Sequence, residues 1–238
     1  MLKKIFTGIF INSSRYYLDC FAKEAADSLP IGALVLDAGA GNCPYKHHFS
    51  HVRYESADFC QVDKEYGEIT YVCDLTTIPV EDNRFDLILC SQALEHVPEP
   101  GKVLEELFRI LKPGGSLWLT CPLFYEEHEK PYDFYRYTQY GLKHLIEKSG
   151  FLITRIEWLE GYLGTLAYQL SLAAKALPIQ PFQYGGGIIG VVSSVFALFL
   201  KPFFAILAVL FSRLDLRKKF ISGGLCKNYA VVAIAPQP

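Results

Sequence analysis

The chain has 238 residues, 51% hydrophobic and 20% charged, which excludes a disordered or acidic solvating segment and leaves room for one domain plus an elaboration, or two small domains. A net charge of −2 removes the broadly basic surface that non-specific nucleic-acid binding needs, so no nucleic-acid partner is expected. Seven cysteines, none in a C-x-x-C pair, are expected to be reduced core thiols of a cytosolic protein. Residues 1–10 form too short an apolar run for a signal peptide, and no small-residue cleavage site follows.

Residues 1–30 read as helix, with Leu2-Lys3-Lys4-Ile5-Phe6 basic and apolar and with Tyr17, Leu18, Phe21, Ala22 and Ala25 at helical spacing. Pro30-Ile31-Gly32 breaks it. Residues 33–37 then form a continuous apolar run ending in Asp37, as expected of a strand buried on both faces of a parallel sheet. Further strands are predicted at 52–57, 69–73 and 85–90. A helix over 100–111 carries Val103, Leu104, Leu107, Ile110 and Leu111 on one face, and Lys112-Pro113-Gly114-Gly115 stops it. A strand over 116–121, a helix capped by Thr138 and running to Lys148, and strands at 151–158 and 229–235 complete an alternating α/β pattern.

The densest local signal is Leu34-Val35-Leu36-Asp37-Ala38-Gly39-Ala40-Gly41-Asn42-Cys43-Pro44. Glycines after a strand permit a sharp turn and close ligand approach, at the sheet edge where open α/β folds bind ligands. A dinucleotide turn wants G-x-G-x-x-G, and Pro44 stands at the third glycine position, which cuts against NAD or FAD. Asp58 after the second strand offers a carboxylate to both hydroxyls of a ribose, and Asp74-Leu75 follows the third strand.

The D-x-G-x-G form resembles motif one of the class I S-adenosylmethionine-dependent methyltransferases, and the rest of the chain is similar to that family in order and spacing over residues 33–121. Residues 85–97, Phe-Asp-Leu-Ile-Leu-Cys-Ser-Gln-Ala-Leu-Glu-His-Val, resemble its fourth strand and the loop lining the methyl site. Leu107-x-Arg109-Ile110-Leu111-Lys112-Pro113-Gly114-Gly115 is similar to its helix-to-fifth-strand turn. The resemblance implies a Rossmann-like seven-stranded sheet with helices on both faces and the last strand antiparallel. It also implies S-adenosyl-L-methionine as cofactor, held by Asp37, Gly39, Gly41, Asp58, Asp74, Leu75 and Ser91, with the adenine beside Asp74-Leu75. The family often has a third glycine where Cys43 stands here, so altered turn packing is expected.

Residues 121–138 crowd four tyrosines, two prolines, a histidine and an arginine into a loop that should overhang the cofactor. The His-x-x-Pro-Tyr-Asp-x-Tyr-Arg-Tyr-Thr pattern resembles a bacterial subgroup of the type 11 methyltransferase domains, often associated with cell-surface glycans. His96 and His128 are candidate catalytic bases for an acceptor hydroxyl. Tyr132, Asp133 and Arg136 are candidate substrate residues, Arg136 as a fork for a phosphate or carboxylate. The other reading of these three is a hydrogen-bonded lid over the cofactor, and of His96 a structural strand-end histidine. Glu95-His96 alone is not a metal motif, and no metal is expected.

The hydropathy excess (mean +0.18) is concentrated in residues 161–211, whose only charges are Lys175 and Lys201. On an insertion scale the Leu, Ile, Val and Phe of 188–211, at roughly −0.3 to −0.6 kcal/mol each, outweigh one lysine at about +3. Arg213, Arg217, Lys218 and Lys219 add a basic flank suited to anionic headgroups. Because strands six and seven share one sheet, the insertion must cross a membrane an even number of times or not at all. The expected form is a re-entrant or interfacial hairpin bent near Lys201-Pro202, with 162–177 along the surface. Two full spans come second, and a soluble cap or dimer interface is the bland alternative.

The expected organisation is an N-terminal helical segment (1–32), a methyltransferase domain (33–160 with 226–238) and an apolar insertion (161–225) that associates with a membrane through 185–211. The expected activity is methyl transfer to a membrane-associated or lipid-linked acceptor, such as a glycan intermediate or a quinone, at the cytoplasmic face. The alternatives are a soluble small-molecule methyltransferase whose insertion is a lid or dimer surface, and a non-catalytic membrane scaffold. Acceptor atom and oligomeric state stay open.

Overall fold

The computed structural model describes residues 13–237. The expected helix over the basic, apolar residues 2–6 lies outside them. The described chain forms two compact units, one of residues 17–159 with 228–237 and the other of 13–16 with 160–227.

The larger unit is built on a seven-stranded sheet. In chain order its strands are β1 (Leu34–Ala38), β2 (Arg53–Asp58), β3 (Tyr71–Val72), β4 (Phe85–Ser91), β5 (Leu111–Pro122), β6 (Leu152–Trp158) and β7 (Asn228–Ile234). Their spatial order is β3-β2-β1-β4-β5-β7-β6, with β7 antiparallel to both neighbours and the pairs from β3 to β5 parallel. This is the Rossmann-like arrangement expected. The central strands are continuous runs of Leu, Ile and Val because both faces are covered: Val35, Leu36, Leu87, Ile88, Leu89, Leu117 and Leu119 are all buried.

Helix α1 (Ser13–Asp27) corrects the expectation of a separate N-terminal segment. Its Leu18, Phe21, Ala22, Ala25 and Ala26 pack on Val35, Leu87, Leu89 and Trp118, so residues 17–27 belong to the sheet unit. Helix α2 (Pro100–Ile110) buries Val103, Leu104, Leu107 and Ile110, and starts at a proline, whose missing N–H costs nothing in a first turn. Helix α3 (Gln139–Lys148) is capped by the Thr138 hydroxyl, which accepts from Gly141 N at 3.1 Å.

The turn motif after α2 has a structural job. Arg109 donates to Glu106, to Asp82 and to the carbonyls of Ile78 and Val80, tying the helix to the preceding loop. Lys112 donates to Asp86, whose other oxygen accepts from Leu34 N, linking β5, β4 and β1. β5 starts earlier than expected: Leu111 already pairs with Phe85, and residues 112–115 loop out before Ser116 pairs with Leu87. β3 is shorter than expected because it is an edge strand paired with β2 alone, at two positions. Only Cys90, Cys121 and Cys226 are buried; Cys20 is exposed and Cys43, Cys60 and Cys73 are half-buried, which corrects the reading of all seven as core thiols, and none forms a disulfide.

The smaller unit contains α4 (Tyr162–Ala176) and α5 (Gly187–Arg217), packed antiparallel: Gly161 N faces Asp215, and the Lys201 ammonium donates to the carbonyls of Lys175 and Leu177. The expected bend at Lys201-Pro202 is absent. α5 runs through Pro202 unbroken, and the chain reverses instead at 177–186, where Gly185, Gly186 and Gly187 take φ of +86°, +75° and +63°. Lys201 stands in the apolar run because its charge caps the C-terminal carbonyls of α4. Among the described residues α5 is the one helix long and apolar enough to cross a membrane, with a mean hydropathy of 2.3, and most of that stretch is uncovered by protein. Ile188, Ile189, Phe196 and Phe199 are 84%, 77%, 62% and 71% exposed.

Candidate functional site

The carboxyl ends of β1, β2 and β4 open on one cleft, walled by Gly39, Asp58, Asp74, Leu75, Gln92, Ala93, His96 and Tyr132 among others. The turn after β1 is tight. Gly39 N and Ala40 N both donate to Ala57 O on the neighbouring strand. Gly39 sits at φ +78°, and a Cβ built on it would lie 2.2 Å from the Cβ of Ala93, so no other residue fits without moving the cleft wall.

Asp58 organises the turn. One oxygen accepts from Gly41 N at 2.8 Å and the other from Cys60 N at 3.0 Å. The expected diol-binding carboxylate is thus also the brace that fixes the glycine turn, and each oxygen keeps a second lone pair for a ligand. Asp74 and Leu75 reach the cleft too; Asp74 accepts from Thr76 N and its hydroxyl, which fixes its rotamer, and Leu75 is buried. Ser91 does not line the cleft. Its hydroxyl is hydrogen-bonded with Thr120 at 3.0 Å, and the next residue, Gln92, at φ +55°, takes the wall position.

Asp37 is 2% exposed and lies behind the turn, accepting a hydrogen bond from the Tyr54 hydroxyl. Burial pushes its pKa up to about 7, with Asp58 adding to the rise and Tyr54 opposing it. The folded chain therefore holds a proton there that the unfolded chain releases near 3.8. Stability falls as pH rises between those values, at up to about 1.4 kcal/mol per pH unit. Asp37→Asn is expected to remove that slope in urea unfolding followed across the window; equal slopes in both proteins would refute the assignment.

The loop between β5 and α3 folds over the cleft and is anchored at Glu95, whose carbonyl accepts from Phe134 N and Tyr135 N. Tyr132 lines the cleft and packs edge-on against Phe59, and its carbonyl faces His96 Nδ1 at 2.6 Å. His96 lines the cleft and burial lowers its pKa. His128 is brought against it, with ring centroids 4.6 Å apart. Asp133 and Arg136 form a two-pronged pair at 2.7 and 2.8 Å, and the guanidinium holds Asp133 down to about 2. Arg136 also donates to the carbonyls of Tyr125, Glu126 and Tyr135, so all five of its N–H groups are spent within the loop. The substrate-fork role expected of Arg136 is not what this geometry offers: the residue holds the loop's own shape.

Three functional residues escaped the sequence reading. Lys64 and Glu129 both line the cleft and pair at 2.8 Å, tying the loop after β5 to the segment after β2. Residues 59–68 carry no motif that would have marked Lys64. Glu95 is fully buried, and burial pushes its pKa up to about 8. Its place beside His96 was visible in sequence; its burial was not.

A family model described as a methyltransferase domain matches residues 36–119. Over 93 residues the chain is 37% identical to the ubiquinone/menaquinone biosynthesis C-methyltransferase UbiE of Yersinia enterocolitica, covering 37% of this chain and 34% of that protein. Over 75 residues it is 43% identical to the UbiE of Pseudoalteromonas translucida, covering 30% of each. The chain thus spans about a third of the length of the curated relatives it matches. Among solved structures, the [4+2]-cyclase SpnF superposes with a TM-score of 0.58 at 18% identity, covering 92% of this chain and 82% of that one. A Haemonchus contortus phosphoethanolamine N-methyltransferase, solved with phosphomonomethylethanolamine and S-adenosylhomocysteine, superposes at 0.52 with 17% identity, covering 95% and 53%. These structural likenesses carry the fold alone.

Proposed function

Residues 36–119 belong to the class I S-adenosylmethionine-dependent methyltransferase domains, and from that premise we propose that the chain methylates an acceptor that resides in or on a membrane. The observation that carries the membrane part is α5, whose outward Ile188, Ile189, Phe196 and Phe199 leave a large apolar surface in water.

The cleft suits the cofactor. The Gly39 turn leaves the space a Cβ would fill, Asp58 and Asp74 supply acceptors for hydroxyl and amino groups, and Leu75 supplies an apolar wall. When bound, S-adenosylmethionine supplies a methyl group activated by a sulfonium for in-line displacement. The chain's own contribution is position. Asp58 would take the ribose hydroxyls, the loop of 123–138 shuts out water, and the Lys64–Glu129 pair holds that loop down. His96, with Nδ1 turned to the Tyr132 carbonyl, keeps Nε2 for a proton from an acceptor hydroxyl. His128 buttresses His96 rather than lining the cleft.

The apolar helix supports a monotopic attachment rather than two spans. α4 has only 15 residues, about 22 Å of helix against a hydrocarbon core of roughly 30 Å, so a two-span hairpin would leave polar backbone of the reversal at 177–186 inside the hydrocarbon. A helix lying in the interface buries the exposed Ile and Phe side chains and keeps Arg213, Arg217 and Lys218 among headgroups. That the seven cysteines form no disulfide suits a reducing compartment and the cytoplasmic side. The UbiE relatives, named for a quinone pathway, make a lipid quinone the first acceptor to try, with a lipid-linked glycan second.

The test is transfer of labelled methyl from S-adenosylmethionine into a membrane lipid extract. Label extracted into organic solvent, and lost with Asp58→Ala, is the expected result. Label found only in water-soluble acceptors would overturn the membrane acceptor, and cofactor that never binds would overturn the enzyme.

A further inference from the structure

Glu95 poses a problem that the methyl-transfer reading does not solve. It is 0% exposed, and neither carboxylate oxygen has a hydrogen-bond partner. Buried carboxylates are normally paired, neutralised or bound to a metal. The nearest fixed cation, Arg136, has spent every N–H on Asp133 and on backbone carbonyls. What Glu95 does face is imidazole. Its Oε1 lies 3.8 Å from His96 Nε2, and Glu95, His96 and His128 each offer a ligand atom within 4.8 Å of the others'.

The geometry points to Glu95, His96 and His128 as a binding site for one divalent first-row transition-metal ion at the edge of the cleft. Two imidazoles and a carboxylate form a donor set that such ions accept, with Zn²⁺, Co²⁺, Fe²⁺ and Mn²⁺ the reasonable occupants and Mg²⁺ and Ca²⁺ disfavoured by the nitrogen donors. Bond lengths near 2.1 Å to a shared ion place ligand atoms roughly 3–4 Å apart, so small side-chain shifts close the trio. The surroundings resemble the outer shell of a built site. His96 Nδ1 is directed at the Tyr132 carbonyl at 2.6 Å and His128 Nδ1 at the Glu126 carbonyl at 3.2 Å, and a second carboxylate, Asp133, lies 4.0 and 3.5 Å from those same nitrogens.

Two chain segments must meet to make this trio. Glu95 and His96 come from the turn after β4, and His128 comes from the loop after β5. The loop's docking onto the Glu95 carbonyl brings them together. The other imidazole–carboxylate trio among the described residues, Asp19 with His47 and His48, differs in kind: its carboxylate is half exposed and already hydrogen-bonded to His48 at 2.8 Å. Because His96 lines the cleft, an ion held here has an open side toward the acceptor; it would occupy His96 Nε2 and lower the pKa of a bound hydroxyl, in place of proton transfer to that nitrogen. That consequence rests on the methyl-transfer reading; the site itself does not.

The experiment uses the full chain, stripped with chelator and titrated with Co²⁺ by calorimetry and visible absorption. One ion per chain with d–d bands is expected, and His128→Ala should weaken binding at least 100-fold, as should His96→Gln. S-adenosylmethionine binding measured on His128→Ala reports that the variant is folded, and keeps failure of the metal site distinct from failure of the cofactor cleft. A wild-type chain that takes up no Co²⁺, or a His128→Ala variant that binds as tightly as wild type, overturns the proposal.

Discussion

Gly39→Ala is expected to weaken S-adenosylmethionine binding at least 100-fold while leaving a folded protein. The added Cβ would sit 2.2 Å from Ala93 Cβ, 3.6 Å from Ala93 Cα and 3.8 Å from Leu75 Cδ1. Both neighbours are cleft walls. The backbone at φ +78° adds about 1 kcal/mol or more of strain for any residue with a Cβ, and overpacking adds roughly 1–3 kcal/mol. The clash is relieved only by moving Ala93, Leu75 or the turn itself, and each of those moves deforms the cleft proposed to hold the cofactor. The sheet below is not involved, so circular dichroism should be unchanged, while the summed cost of about 2–4 kcal/mol should lower the melting temperature by roughly 5–15 °C. Calorimetric titration checks it. Binding within threefold of wild type would mean that the cofactor does not lie against this turn.

The second large effect concerns α5. Ile189→Glu with Phe196→Glu is expected to cut partitioning onto anionic vesicles more than 100-fold and to leave thermal stability unchanged. The two positions are seven residues apart, on one face of the helix, and are 77% and 62% exposed, so neither supports the folded core. Burying a large apolar side chain in an apolar phase is worth roughly 1.5–3 kcal/mol, and a charge placed at membrane depth costs up to about 3 kcal/mol more. Two such changes outweigh the factor of 100, which is about 2.7 kcal/mol. Vesicle sedimentation gives the partition and a thermal melt gives the control. If partitioning holds but a wild-type dimer becomes a monomer in the variant, α5 is a subunit interface and the membrane reading fails.

The elements whose character depends on local chemistry were legible in the chain. Strands buried on both faces must be unbroken apolar runs, so β1 and β4 could be read directly, as could the amphipathic α2 and the Thr138 cap. The D-x-G-x-G turn was legible because only glycine tolerates φ +78° with Ala93 so close. Asp58 was legible as the acid that ends β2, although its second task, bracing Gly41 and Cys60, was not.

Whatever depended on contact between distant segments was decided by the tertiary structure. Ser91 looked like a cleft residue, but strand β5 supplied Thr120 to take its hydroxyl, and the turn handed the wall to Gln92. Arg136 looked like a free fork until the loop closed on itself and used all five donors. Pro202 looked like a hinge, yet α5 passes through it, because the glycines at 185–187 turn the chain first and Lys201 finds the end of α4. Glu95 was one of many acids in sequence; only the folding of the loop over β4 buries it and sets His128 beside it. Sequence reports a residue's preferences over a few neighbours, whereas burial and hydrogen-bond partners are properties of the whole packed chain. The glycine turn was therefore readable in advance, and the Glu95–His96–His128 trio beside it was not.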